Sequence, residues 1–203
     1  MGQATPLRRL KSPMSTAHGT TKCDATQSVL LVLDLQQGVG EAMPNKVLNR
    51  VILNAALLAH SADLLGVPVL HTEHNPQALG ATHTTITAAL PRSTMGFSKT
   101  TFSCCEAQGF RQALGATQRR QAVLLGMEAH IGVLQSALDL RALGLEVCVV
   151  EDATCSRRLE NYHNALDRLR QAGVQVVSAE SVVFEWLGDA SHEHFKTIQS
   201  LLR

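Results

Sequence analysis

Short, continuous aliphatic runs, each separated from the next by helical periodicity, constrain the fold of this chain more than any other feature. Val29-Leu30-Leu31-Val32-Leu33 is apolar at every position, as a strand covered on both faces must be. Val67-Pro68-Val69-Leu70-His71 reads as the next strand, with Pro68 near its start, where a missing ladder donor costs least. Further strands are expected at 122–125, at Val147-Cys148-Val149-Val150 and at Val174-Gln175-Val176-Val177. Between them, Val47, Val51, Ile52, Ala55, Leu58 and Leu64 mark one face of a helix that ends at the natural C-cap Gly66. Helices are also expected over 133–143, closed by Gly144, over 157–172, ended by Gly173, and over 191–202 at the terminus. Phe110, Ala113 and Leu114 suggest a short one.

Strands that alternate with helices imply right-handed crossovers and parallel pairing. The expected architecture is α/β: a doubly wound (Rossmann-like), mostly parallel sheet of about six strands, helices on both faces, in one domain over 28–203. A length of 203 residues suits a single domain with a full core. The formal net charge of +1 offers no electrostatic case for nucleic acid or an anionic membrane, and one Trp, one Tyr and five Phe supply no base-stacking platform. No apolar run approaches the ~20 residues that span a bilayer. Cys23, Cys104, Cys105, Cys148 and Cys155 form an odd set without C-x-x-C spacing. That argues against a disulfide framework or a zinc knuckle and suits a reducing compartment, so a cytoplasmic location is expected. Residues 1–27 read as a flexible tail. Their Arg, Lys, Ser and Thr content, with Asp24 as the one acid, leaves a mitochondrial targeting segment as the alternative.

Ligands of doubly wound sheets bind beyond the carboxyl ends of the strands. Asp34 stands there after the first run, Glu73 and His74 after the second, and Asp152, Thr154, Cys155 and Ser156 after the fourth. Residues 74–98 lack periodicity and contain Pro76, Gly80, Pro91 and Gly96, as a long binding loop or lid would. Lys99 follows within Gly96-Phe97-Ser98-Lys99-Thr100-Thr101-Phe102-Ser103. The run at 122–125 passes through Gly126-Met127-Glu128-Ala129-His130-Ile131-Gly132 into a helix, a strand-turn-helix elbow. Read alone, Asp34 could merely cap a turn and Lys99 could be a solvated surface lysine.

Together, the Asp34 segment, Ser98-Lys99-Thr100 and the elbow resemble, in order, the three motifs of the isochorismatase-like cysteine hydrolases. The resemblance runs from about residue 28 to 178. Thr72-Glu73-His74-Asn75-Pro76-Gln77-Ala78-Leu79-Gly80 and Gly188-Asp189-Ala190 are further similar to the eukaryotic isochorismatase domain-containing proteins. The resemblance implies catalytic roles for Asp34 and Lys99, and places Gly132 where the family has its nucleophilic cysteine. It implies a cis peptide at Glu128–Ala129, with backbone N–H groups aimed at a developing oxyanion. Substrate-binding candidates are His130, Ile131 and Phe102, though His130 reads equally as a packed or capping residue. One branch of the family binds a metal through an Asp-x-His motif after the second strand. Glu73-His74 lacks that spacing and His71 and His83 do not repair it, so no metal and no cofactor are expected. The implied partners are a small-molecule substrate and further copies of the chain as a homo-oligomer.

A glycine cannot attack a carbonyl, so no covalent intermediate is expected at position 132. Three readings follow. The first is hydrolysis that needs no thiol, of the vinyl-ether type, since some true isochorismatases resemble Ala129-His130-Ile131-Gly132 at this elbow. The second is a pseudoenzyme kept as a binding or scaffolding module. The third is a displaced nucleophile, with Cys155, Ser156 or the Cys104-Cys105 pair as candidates.

Overall fold

A computed structural model describes residues 22–202. In chain order the elements are β1 (Ser28–Leu33), α1 (Gln37–Gly40), α2 (Asn45–Leu64), β2 (Val69–His74), α3 (Pro76–Leu79), α4 (Thr84–Ala89) and β3 (Met95–Lys99). A 3-10 turn (Cys104–Glu106), α5 (Phe110–Ala116), β4 (Gln121–Met127), a π-helical turn (Ala129–Val133) and α6 (Leu134–Ala142) follow. The chain closes with β5 (Glu146–Cys155), α7 (Leu159–Gln171), β6 (Gln175–Val177), α8 (Ala179–Leu187) and α9 (Phe195–Leu201).

The six strands lie in the order β3-β2-β1-β4-β5-β6, and every neighbouring pair is parallel. Successive strands step outward from β1 in one direction and, after β4, in the other. The switch point therefore falls between β1 and β4, where Leu33 pairs with Gly126. β1 shows why its sequence is apolar throughout. Leu30 and Val32 face a core built with α2, α4, α8 and α9, while Val29, Leu31 and Leu33 face a second core built with α5, α6 and α7. Side chains alternate between faces and both faces are covered.

Of the strands and α-helices, five were not expected from the sequence: α1, α3, α4, β3 and α8. The stretch 74–98 is not one loop: it holds α3, α4 and most of β3. β3 is an edge strand whose Met95, Gly96 and Ser98 are exposed, so it carries no apolar run to announce it. α8 contributes Val182, Val183 and Trp186 to the first core. β5 also runs past Val150 to Cys155 through a register shift, which places Asp152 and Thr154 inside the strand rather than after it. Asp152 Oδ1 accepts the Ala179 N–H at the start of α8.

The packed chain begins before residue 28. Cys23 is 1% exposed, its N–H donates to Glu185, and Gln121 at the start of β4 bonds both Asp24 N–H and Lys22 C=O. Buried polar groups around β4 need these partners, and residues 22–27 supply them. The expected tail is thus shortened from this side; residues 1–21, with the targeting alternative, lie outside the described residues.

Gly126 sets how closely β4 approaches β1 at the switch point. Its φ is +140°, and a Cβ there would lie 2.0 Å from Leu33 O. Gly66 also has positive φ (+66°), but nothing lies within 4 Å of its would-be Cβ. Gly66→Ala should therefore cost only the left-handed penalty of about 1–2 kcal/mol. Gly126→Ala should cost more than about 4 kcal/mol or prevent folding, because backbone must move. Urea unfolding followed by circular dichroism checks both; equal losses would show that the close approach is not enforced.

Candidate active site

Asp34 follows β1 in the left-handed region, at φ +53°, a conformation that aspartate tolerates better than most residues. Its N–H donates to Thr72 O at 3.0 Å, which holds the turn against β2. The carboxylate is buried and committed on both oxygens. Thr72 Oγ1 donates to Oδ1 at 2.6 Å, and Lys99 Nζ donates to Oδ2 at 2.6 Å. Lys99 arrives from the end of β3, beyond β2, and its side chain is only 1% exposed. Its Nζ also donates to Thr101 O at 3.3 Å and Phe102 O at 3.2 Å. Three acceptors use the three N–H donors of an ammonium. Lys99 thus orients Asp34 and fixes the 100–103 loop, and has no donor left for an anionic substrate.

The elbow closes the site from the other side of the switch point. A Cβ built on Gly132 would lie 3.3 Å from Asp34 Oδ2, 3.4 Å from Phe102 O and 3.7 Å from Met127 O. Any group presented at position 132 would therefore touch the Asp34 carboxylate. The cis peptide is at Met127–Glu128, not at the expected Glu128–Ala129: the turn begins directly at the last residue of β4. Glu128 O then accepts the Ile131 and Val133 N–H groups, and residues 129–133 form a π-helical turn before α6.

A cavity of about 200 Å³ opens between these elements. Asp34, His74, Glu128 and Arg157 are its titratable lining residues, with Gly132 and Ile131 from the elbow and Phe102 beside them. Val39 and Leu79 bring the one-turn helices α1 and α3 to its far wall. Phe102 stacks on His74, with ring centroids 5.5 Å apart. Of the expected binding residues, Ile131 and Phe102 line the cavity and His130 does not. His130 Nδ1 lies 2.9 Å from Ser156 Oγ and its Nε2 lies 3.2 Å from Asn161 Nδ2, which pins the ring to the start of α7. Ala129 is fully buried. Glu128, 8% exposed, accepts the Arg157 N–H at 2.9 Å and pairs with Arg157 Nη1 at 3.3 Å. A recess of about 280 Å³ lies on the far side of Lys99, beside Ser98, Thr100 and Glu106; neither Asp34 nor Gly132 is on it.

Three contributors escaped the sequence reading. Thr72 supplies the second bond to Asp34. Gln36 is 1% exposed; its Oε1 accepts His74 N–H at 2.7 Å, and its Nε2 donates to His74 O and Gly80 O. Arg157, at the start of the turn into α7, answers Glu128. Proximity of Gln36 to Asp34 along the chain was the one available signal. Which way a side chain leaves a turn has no mark in a single sequence.

The thiol candidates for a displaced nucleophile do not fit the site, and Ser156, 6% exposed and 2.9 Å from His130 Nδ1, does not line the cavity. All five cysteines are free and buried, and none lines either cavity. Burial pushes the Cys155 thiol up to about 12, against a partial opposing effect of the Arg50 charge. The hydrogen bond with Cys105, and then burial, push the Cys104 thiol up. The hydrogen bond from Cys104 lowers Cys105, which is 3% exposed and away from Asp34's cavity. A thiol nucleophile needs access and an electropositive setting together. Among the described residues, no group of three or more His, Cys, Asp and Glu is placed to hold a metal ion, and no helix is long and apolar enough to cross a membrane.

Comparison with known proteins gives the family and agrees with the fold. The family model described as isochorismatase domain matches residues 28–181. Isochorismatase domain-containing protein 2 from Bos taurus is 37% identical over 177 residues, covering 87% of this chain and 83% of its own. The structure of MAR1 ribonuclease from Caenorhabditis elegans superposes with a TM-score of 0.84 at 32% identity, over 90% of this chain and 92% of that one. The YcaC protein from Escherichia coli, an octameric hydrolase of unknown specificity, shares the fold (TM-score 0.78, 21% identity, 91% and 96% covered).

Removing Lys99 strands a buried carboxylate. Lys99→Met should lower stability at pH 7 by about 3–5 kcal/mol, and Asp34→Asn in the same chain should restore a large part of it. Urea unfolding of the two single variants and the double variant measures the coupling. A loss below about 1 kcal/mol for Lys99→Met would contradict the pairing.

Proposed function

The chain belongs to the isochorismatase family, and on that premise we propose that it is a small-molecule hydrolase that works without a covalent enzyme intermediate. The carrying observation is the buried Asp34–Lys99 pair facing Gly132, with Oδ2 3.3 Å from where a side chain at position 132 would begin. In this reading Gly132 stands at the family's nucleophile position, and its missing side chain leaves room for substrate or water against Asp34. Glycine also lets a ligand approach the backbone closely.

Asp34 is the general acid and base, and Lys99 with Thr72 are its positioning residues. With a vinyl ether, protonated Asp34 gives its proton to the terminal enol-ether carbon, leaving an oxocarbenium ion. Water adds to the oxygen-bearing carbon and returns a proton to the Asp34 carboxylate. The hemiketal then collapses to a ketone and an alcohol, so proton and water balance. The Lys99 charge stabilises the carboxylate left when Asp34 has given its proton to carbon. With a carbonyl substrate, where an oxyanion forms instead of an oxocarbenium ion, the same reading aims the backbone N–H groups of the elbow around Glu128 and Ala129 at that oxyanion. The protein acts as a homo-oligomer in the cytoplasm, the latter resting on its five free cysteines.

A second reading is favoured by Gly132 itself: a family member without a nucleophile, retained as a binding or scaffolding module. The Caenorhabditis elegans relative, a ribonuclease by name, supplies a third substrate class to include in the test. The cavity and its single cation, Arg157, argue against a polyanion, so no RNA cleavage is expected.

Turnover should be measured on a panel of vinyl ethers, esters, amides and single-stranded RNA, with light scattering of the same preparation for the oligomer. Asp34→Asn should lower kcat/KM on the accepted vinyl ether about 10²–10⁴-fold. Gly132→Ala should chiefly raise KM, because its methyl enters the substrate space. Iodoacetamide at pH 8 should leave turnover unchanged. Inactivity of the pure protein on the whole panel would move the reading to the binding module, and inactivation by alkylation would restore a thiol mechanism.

A further inference from the structure

The charges around the cavity are already balanced within the protein. Asp34 is matched by Lys99, whose other donors are spent on Thr101 O and Phe102 O. Glu128 is matched by Arg157 through both the backbone N–H and the guanidinium. Among the described lining residues, Arg157 is therefore the one full cation, and it is engaged. An anionic ligand would sit between two carboxylates. To recruit Arg157 it would have to leave Glu128, only 8% exposed, without its counter-charge. Most of the remaining wall is apolar: Val39, Ala42, Leu79, Phe102, Met127 and Ile131.

From this balance we propose that the cavity selects an uncharged, largely apolar small molecule with one polar head, and rejects isosteric anions through the Glu128–Arg157 pair. His74 is the hydrogen-bonding partner for that head. Its ring lines the cavity, held by Phe102 stacking and by Gln36 on its backbone. The volume of about 200 Å³ sets the size. An engineered apolar cavity of about 150 Å³ takes benzene. A single ring with one small substituent is therefore the natural occupant. The inference rests on the reading of this cavity as the substrate site, and it names the class that site accepts.

Benzamide and benzoate, close in shape and different in charge at pH 7.5, are the probes. Chemical-shift titration of isotope-labelled full-length protein reads binding without turnover. Benzamide should bind at least tenfold more tightly than benzoate, and His74→Leu should weaken benzamide several-fold. Glu128→Gln keeps an acceptor for the Arg157 N–H and releases the guanidinium, so benzoate should tighten until the ratio falls to about threefold or less, with benzamide unchanged. A merely structural role for Glu128 would weaken both ligands together. Benzoate binding as tightly as benzamide, neither probe shifting the cavity residues, or an unchanged ratio in Glu128→Gln would overturn the proposal. Failure of the hydrolase reading is separable: a protein inert towards every substrate would still give the wild-type ratio.

Discussion

The buried ion pair between Asp34 and Lys99 is the interaction on which the rest of the site depends. An unpaired charge in this position would be costly, and the surroundings commit every donor and acceptor to prevent it. Thr72 answers one carboxylate oxygen, Lys99 the other, and two loop carbonyls complete the ammonium's coordination. The consequences are mechanical as well as electrostatic. One lysine ties the end of β1 to the end of β3, two strands apart, and anchors the loop whose Phe102 ring closes the cavity. That coupling also converts a residue that looked free to grasp a substrate into one that positions a carboxylate.

Two glycines of the elbow serve different purposes. Gly126 is structural: at the switch point β4 and β1 come so close that no side chain fits. Gly132 is tight without being closed: a Cβ there would lie 3.3 Å from Asp34 Oδ2, so the carboxylate would have to yield by a few tenths of an ångström. Its significance is chemical, through what it withholds from the carboxylate. The same turn supplies Glu128, whose pairing with Arg157 leaves the cavity with balanced charge. Together these features describe a small, largely apolar chamber in which two carboxylates, Asp34 and Glu128, are each paired with a cation.

The sequence reading located β1, β2, β4, β5 and β6 and the long helices, because a strand covered on both faces cannot avoid a continuous apolar run. It lost β3, since an edge strand may expose most of its side chains, and α8, although Ser178 caps its start directly after β6 and Gly188 ends it. The core of the candidate site was legible as Asp34, Lys99 and Gly132 because each stands in a recognisable segment near a strand end. Thr72, Gln36 and Arg157 were not assigned roles there. Their roles are fixed by hydrogen bonds between residues far apart in the chain, from about 29 positions for Arg157 with Glu128 to 44 for Gln36 with Gly80.

By itself the sequence determined a doubly wound α/β domain with its polar residues at the carboxyl edge, and it determined that position 132 carries no nucleophile. Those conclusions follow from local rules: periodicity, glycine chemistry and the order of motifs. Tertiary structure alone decided that Lys99 is spent on Asp34, that His130 turns away from the cavity, that Cys155 is sealed in the core, and that Glu128 and Arg157 neutralise each other. Each of these is a choice among partners made by side-chain direction and burial. Only the packed sheet, with β3 brought across β2 and the elbow folded over β1, selects among them.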